Sequence, residues 1–372
     1  MARVIGMAGS AERGFPVWGG PAERLRFLLQ WAVLAPSRHN TQPWSFEIEG
    51  DEVRVHADLS RALPAADPDG RQLLMSCGAA ITNLRLAAGH FGHATTREVV
   101  PGMRRDGLLA RVRLEERDAS TPEVEEMFQA IPRRRTNRLP LEGHEPPEGL
   151  VIALMREARR EGTFLRTVEE GERAAVAELV AEGDRVQRSS SRFRAELSRW
   201  TRPNGTLRKD GIPGWALGMS DTAAMLQPLF LRLGGSAREE AERERRRATT
   251  SRALLLLSTE RDGKAEWIGA GEALQRTLLR AAASGLHAAY FTPPIELPDL
   301  RRRLRDLLAD PGAPQLLFRL GHGHEVRPVP RRPVSEVLRR CEERPEPRAP
   351  ALRAEPPVSR AAPGGAGRSP LN

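Results

Sequence analysis

The chain has 372 residues, 40% hydrophobic and 29% charged, with a net charge of +9 and two cysteines, Cys77 and Cys341. That length can bury one large core or two modest ones, the composition is globular, and two cysteines build no disulfide framework. The positive charge is almost all arginine, since Lys209 and Lys264 are the only lysines. The arginines are interleaved with glutamate and tyrosine is nearly absent, so the aromatic–basic pattern of a single-strand nucleic-acid binder is missing.

No apolar run is long enough to span a bilayer, and Met1 to Ser10 has no sustained apolar stretch like a secretory signal. The expectation is a cytoplasmic protein with no membrane and no nucleic-acid partner. Residues 1–20 are Gly-rich without periodicity and are expected to be disordered.

The pattern predicts a helix from Arg24 to Leu34, which Pro36 stops. The next segment, Ala35 to Trp44, reads A-P-S-R-H-N-T-Q-P-W. Beyond it Trp44, Phe46 and Ile48 alternate with Ser45 and Glu47, the period of a half-buried strand. Between helix and strand sit Ser37, Asn40 and Gln42, whose side chains both donate and accept hydrogen bonds. They suit the polar edge of a flat ligand, or they cap an ordinary turn. Val53 to His56 completes a hairpin. Asp67 and Pro68 read as N-cap and first residue of a helix that runs from Leu73 to Ala88. That helix is apolar on most faces and small at Gly78, Ala79 and Ala80, so it is expected at the centre of a core. A strand over Arg111 to Leu114 and a helix opened by Thr121 and Pro122 end a first folded half, residues 21–130.

The second half, residues 131–340, opens on Arg133 to Arg138, R-R-R-T-N-R. Guanidinium groups bind phosphate by paired, charge-assisted hydrogen bonds, although a solvated basic stretch reads the same. Helices are expected over Leu150 to Arg160 and Glu170 to Trp200. The Gly- and Pro-rich stretch Arg202 to Trp215 is a lid, within residues 201–220, or a plain surface loop. A strand at Arg252 to Ser258, a helix at Trp267 to Gly285, a strand at Leu286 to Phe291, a helix at Pro298 to Ala309 and a strand at Gln315 to Leu320 follow. The helix at Trp267 echoes the earlier buried one: Gly78 to Ile81 and Gly271 to Leu274 both read Gly-x-Ala-aliphatic. Residues 341–372 form a Pro- and Arg-rich tail, expected to be disordered. His90, His93, His322 and His324 have no cysteine or carboxylate to complete a ligand set, so no metal centre is expected. His39 lies inside the polar loop.

Pro36, Ser37, Arg38, Asn40 and Gln42, between helix and strand, resemble the flavin-contacting segment of the FMN-dependent nitroreductase family. Arg134, Arg135, Thr136, Asn137 and Arg138 resemble the R-x-S/T-x-R/K element that holds the FMN phosphate and ribityl chain. Arg331 and Arg332, between two prolines, resemble the basic pair that joins that phosphate site. Pro294 and Glu296 stand in the slot where the family aims main-chain amides at the flavin N5 and O4, with Leu297 where many members have glycine.

In a single-domain member the arginine element precedes the Ser/Asn loop, and two chains pair to build two sites. Here the loop comes first and neither motif recurs. That order resembles the tandem, Acg-type branch, as do Asp67 to Arg71 and Gly271 to Gln275. The resemblance covers residues 21–340 and is patchy over 150–250. It implies an α+β, nitroreductase-like fold. Two tandem halves would form an intramolecular pseudo-dimer, with mostly antiparallel sheets flanked by helices. It implies a monomer with one FMN site and no catalytic side chain, because the flavin N5 carries the chemistry. The implied reaction is hydride transfer from NAD(P)H to a nitroaromatic or quinone-like acceptor. The alternative is a non-catalytic, FMN-sequestering protein with a closed lid.

Overall fold

The opening helix stops before Pro36, and slightly earlier than its pattern suggests: α1 spans Pro21–Ala32. In this computed structural model the residues described are 14–100, 106–117, 120–142, 144–234 and 237–339. Residues 1–13 and 341–372, expected to be disordered, lie outside them. Of the segment 1–20, residues 14–20 are among those described. Phe15 stacks on Phe91 with ring centroids 4.3 Å apart and packs edge-on against Phe27 of α1, which anchors the segment to the core.

Strands β1 (Trp44–Glu49) and β2 (Glu52–Ala57) form the expected hairpin, with Trp44 and Phe46 fully buried. Helix α2 (Arg71–His90) begins later than Asp67. Gly70, at φ 72°, turns the chain into it, and the Asp67 carboxylate caps from outside, accepting from Gln72 N (3.1 Å) and Leu73 N (2.9 Å). β3 (His93–Val99), which the sequence reading passed over, pairs with β4 (Leu108–Arg117). In α3 (Pro122–Ala130) Thr121 caps as expected, its side chain accepting from Val124 N. The first sheet has the order β1-β2-β4-β3, antiparallel throughout.

After α4 (Glu148–Arg160) and β5 (Thr163–Thr167), the long helix expected over Glu170 to Trp200 is two helices. Ser190 leaves helical geometry at ψ 120° between α5 (Glu170–Ser189) and α6 (Ser191–Trp200), and its hydroxyl caps the second. The two-residue strands β6 (Thr201–Arg202) and β7 (Ile212–Pro213) pair in parallel. Then come α7 (Asp221–Leu233), α8 (Ala237–Thr249), β8 (Ala253–Thr259), α9 (Lys264–Ala283) and β9 (His287–Tyr290). Last are α10 (Pro293–Glu296), α11 (Pro298–Leu307), β10 (Ala313–Gly321) and α12 (Val334–Val337). The second sheet, β5-β8-β10-β9, is antiparallel too.

The echo between the two buried helices is a crossing point. A Cβ on Gly78 of α2 would lie 2.1 Å from the Ile268 carbonyl of α9, and one on Gly271 would lie 2.0 Å from the Met75 carbonyl. Each glycine lets the opposite backbone touch it. Two single bridges join segments far apart in sequence, one between the halves and one within the second half. Leu338 pairs in parallel with Phe46 of β1, and Arg339 N donates to the Phe46 carbonyl (2.7 Å). Thr136 pairs in parallel with Ala288 of β9, and Asn137 N donates to the Ala288 carbonyl (2.9 Å). Through Arg339 the chain packs as one compact unit. No described helix is long and apolar enough to cross a membrane.

Candidate functional site

Between α1 and β1 the loop Ala35–Pro43 is held in a costly shape. His39, Asn40 and Gln42 have φ of 50°, 55° and 52°, a region that side chains other than glycine seldom adopt. What holds them is visible. Ser37 Oγ accepts from Gln42 N (2.9 Å), and Asn40 Nδ2 donates to the carbonyls of Gly211 (3.0 Å) and Pro330 (3.1 Å). Gln42 Nε2 donates to Lys209 O (2.8 Å), while its Oε1 accepts from Arg332 N (2.7 Å). Arg331 Nε donates to the Ala35 carbonyl (3.1 Å). The amide nitrogens of Asn40 and Gln42 therefore clamp two distant segments onto the loop. Asn40 Oδ1 and His39 Nε2 are buried without a partner.

Facing the loop, residues 134–138 and 326–331 close a cavity of about 330 Å³. Arg134, Arg135, Arg138 and Arg331 line it, and none of them has an ion-pair partner among the described residues. Arg134 is buried, and its Nε and Nη1 have no hydrogen-bond partner. Burial pulls the Arg331 guanidinium down to about 9, and Arg134, Arg135 and Arg138 add to the effect. Burial likewise takes Arg135 and Arg138 to about 10, reinforced by Arg134 in the first case and Arg38 in the second. Glu325 pulls the other way on Arg135 from beyond ion-pair distance, so four guanidiniums crowded together without a paired carboxylate make an anion site.

A second cavity of about 660 Å³ meets the first along Pro36, Ser37, Thr136, Arg138 and Ile212. Its walls are mainly apolar, with Met75 and Ala79 of α2, Phe193 of α6, Phe230 of α7 and Phe291 among them. Three polar groups stand out. His39 is held well below its usual value by burial, then by Arg38 and Arg138, and is neutral at physiological pH. The hydroxyl of Tyr290, the only tyrosine, is buried without a partner. Arg319 of β10 is the third.

Nine of the thirteen residues singled out from sequence share these walls: Pro36, Ser37, Arg38, Asn40, Arg134, Arg135, Thr136, Arg138 and Arg331. Gln42, Pro294, Glu296 and Arg332 are not on them. Glu296 is buried and receives Arg38 Nη2 (3.0 Å), Gln72 Nε2 (2.6 Å) and Gln187 Nε2 (2.5 Å), so it orients Arg38 from behind. Arg332 Nη2 donates to the Glu336 carbonyl (2.8 Å).

In the slot expected to aim main-chain amides at a ligand, the amides bond within the chain. Pro293 and Pro294 have no N–H. Those of Ile295, Glu296 and Leu297 donate to the Thr292 and Pro293 carbonyls, because α10 is a closed helical turn. Tyr290 and Arg319 were missed. A lone tyrosine, and a charge inside the apolar run Q-L-L-F-R-L, were the available signals.

The stretch expected as a lid covers both cavities: Ile212 lines both, Trp215 the smaller, and Leu217 and Met219 the larger. It is tied down beyond Asn40 and Gln42. Asp210 accepts from Arg202 Nη2 (2.9 Å) and from Arg61, and both arginines lie over the Trp200 ring, Arg202 at 5.7 Å and Arg61 at 5.4 Å. Burial alone would raise the Asp210 carboxyl, but the hydrogen bonds from Arg202 and Arg61 outweigh it and hold it below its usual value.

"Putative NAD(P)H nitroreductase Rv3131" of Mycobacterium tuberculosis is 31% identical over 329 residues, which cover 87% of this chain and 93% of the relative. "Putative NAD(P)H nitroreductase acg" of the same organism is 30% identical over 323 residues, 84% of this chain and 95% of the relative. The chain belongs to the acg-type branch of the nitroreductase family. A further relative, the uncharacterized protein Rv3127 of the same organism, is 32% identical over 327 residues, 84% of this chain and 92% of its own. No protein-family model matches.

Solved nitroreductases resemble the chain loosely. A mutant form of the FMN and NADPH-dependent NfnB of sphigopyxis sp. strain HMH has a TM-score of 0.38 and 18% identity, covering 58% of this chain and 99% of its own. The FMN-dependent NfnB of Mycobacterium smegmatis in complex with NADPH has a TM-score of 0.36 and 16% identity, covering 58% and 97%. It is the sequence relatives that decide the family.

Proposed function

We propose that this acg-type nitroreductase binds one FMN per chain across the two cavities and passes hydride from NAD(P)H to a nitroaromatic or quinone-like acceptor. The observation that carries this reading is the anion site of Arg134, Arg135, Arg138 and Arg331, with the buried, unpartnered nitrogens of Arg134, opening into an apolar chamber at Pro36 and Ser37.

When bound, FMN supplies two-electron transfer at its ring, which no side chain here can do. The four arginines would hold its phosphate. Thr136 and Ser37, at the junction of the cavities, would serve the sugar-alcohol chain, and Asn40 Oδ1, on the wall of the smaller cavity, would offer an acceptor there. Arg38, fixed by Glu296, and neutral His39, on the wall of the larger one, would offer donors to the ring. Ile212, Trp215, Leu217 and Met219 exclude water from above. With α10 closed on itself, side chains rather than main-chain amides tune the ring in this chain.

The purified chain should be yellow and contain one FMN. NADPH or NADH should bleach it without oxygen, and a nitroaromatic or quinone should restore the colour. A colourless chain that takes up no FMN overturns the reading, and two FMN per chain overturns the single site.

One feature favours a second reading, a chain that sequesters FMN. The segment over the chamber is bonded to the cavity loop through Asn40 and Gln42, and through Asp210 to Arg61, which donates to the Thr41 carbonyl. Under that reading bound FMN resists bleaching by either nicotinamide yet is reduced by dithionite, a small inorganic donor.

A further inference from the structure

We propose that Arg319 forms an anion-reading subsite in the larger chamber and that the chamber is built for an aromatic monocarboxylate. The inference rests on the flavin reading for where that ligand lies, but not for its charge.

The chamber's other ionic groups pair among themselves, and Glu244 and Arg247 act on Arg319 only from beyond ion-pair distance. Arg38 pairs with Glu296, Asp184 with Arg188, Glu240 with Arg243 and Glu244 with Arg247. Arg138 belongs to the four-arginine cluster of the smaller cavity. Arg319 alone remains, with 4% of its surface exposed and no ion-pair partner among the described residues. One of its nitrogens, Nη2, donates to the Leu139 carbonyl (3.1 Å), while Nε is buried with no partner. Leaving a buried guanidinium without an anion costs several kcal/mol on the order expected for such groups, so its place on a cavity wall calls for one.

The geometry also says what kind of anion. Arg319 presents one planar fork, and its guanidinium sits 5.9 Å from the centre of the Phe291 ring. A single fork matches one carboxylate, held by two parallel hydrogen bonds. A phosphate dianion draws several guanidiniums, as in the neighbouring cavity. The remaining walls, with Phe193, Phe230 and Phe291, suit an aromatic body.

The test compares 4-nitrobenzoate with its neutral near-isostere 4-nitrobenzamide by titration calorimetry on the full chain, with and without FMN. The charged member should bind about tenfold more tightly or better, as one charge-assisted contact predicts. Arg319→Gln should bring the ratio to about one, and Arg319→Lys should keep part of it. Equal affinities in the unaltered chain, or a ratio that survives Arg319→Gln, would overturn the proposal. So would a loss confined to NADPH over NADH, which would assign Arg319 to the nucleotide's extra phosphate. Failure to take up FMN bears on the earlier reading alone, because the ligand pair is read in the flavin-free chain as well.

Discussion

Arg134, Arg135, Arg138 and Arg331 repel one another, and a bound phosphate turns that repulsion into attraction. The Arg331 guanidinium is lowered from its usual value to about 9, so its folded charged form is penalised. The penalty is complete below about pH 9 and is relieved only as pH rises from there toward the ordinary guanidinium range. Arg331→Met should therefore weaken FMN binding by about ten- to hundredfold while leaving the flavin-free chain as stable or a few degrees more so. Equilibrium dialysis and thermal melts read both, and a variant that binds FMN normally would remove Arg331 from the site. Inorganic phosphate at millimolar levels should raise the melting temperature of the flavin-free chain by binding only its folded form, where equal ionic strength of chloride does not. At this scale the sequence was most readable where chemistry is local. The arginines of residues 134–138 are neighbours in sequence, while Tyr290 and Arg319 reach the larger cavity only through the β9–β10 pairing.

The crossing of α2 and α9 depends on two glycines. Gly78→Ala or Gly271→Ala would push a methyl to about 2 Å from a carbonyl of the facing helix. Each should cost about 3 kcal/mol or more, as overpacked backbone contacts do, in denaturant melts. A loss under about 1 kcal/mol would mean the helices part easily.

The same interface holds Glu272, between Arg85 Nη1 (3.1 Å) and Arg97 Nη1 (3.2 Å). Burial lifts its carboxyl to about 7 against the pull of Arg97 and Arg85, with Glu161 adding a like charge. A raised carboxyl favours folding below its ordinary value of 4.5, and that advantage is lost as pH climbs to about 7. Glu272→Gln, which keeps the uncharged form, should gain stability relative to the parent between about pH 5 and 7.5. A difference that is flat with pH would show that Glu272 does not titrate there.

For the cover, Asp210→Asn should loosen the tie through Arg61 and Arg202 and speed FMN release several-fold, seen in stopped-flow fluorescence; an unchanged rate would show that the tie does not govern release. The parent's tie should hold through neutral pH and fail only in acid, below the usual carboxylate range.

Most helices and strands were legible because period and caps are local, as at Thr121. β3 and β5 were not, since their half-exposed faces carry little hydrophobic alternation. Nor was the break at Ser190, where one hydroxyl decides between one helix and two.

Across the whole molecule, the order of the motifs carried the arrangement: a Ser/Asn loop before the arginines, each occurring once. The structure brings Ser37 and Arg138 to the walls of the same two cavities although they lie about a hundred residues apart. What order could not show is how the ends are secured, since Leu338 meeting Phe46 and Thr136 meeting Ala288 are single bridges with no repeating pattern.

Those two bridges have a consequence for dilution. A pocket shared by separate subunits falls apart as the protein is thinned, and its grip on a ligand weakens with it. Here both contributors are tethered in one chain, at an effective local concentration that solution volume does not change. The affinity for FMN should thus be the same whether the protein is at nanomolar or micromolar concentration, which would let a scarce protein keep its cofactor.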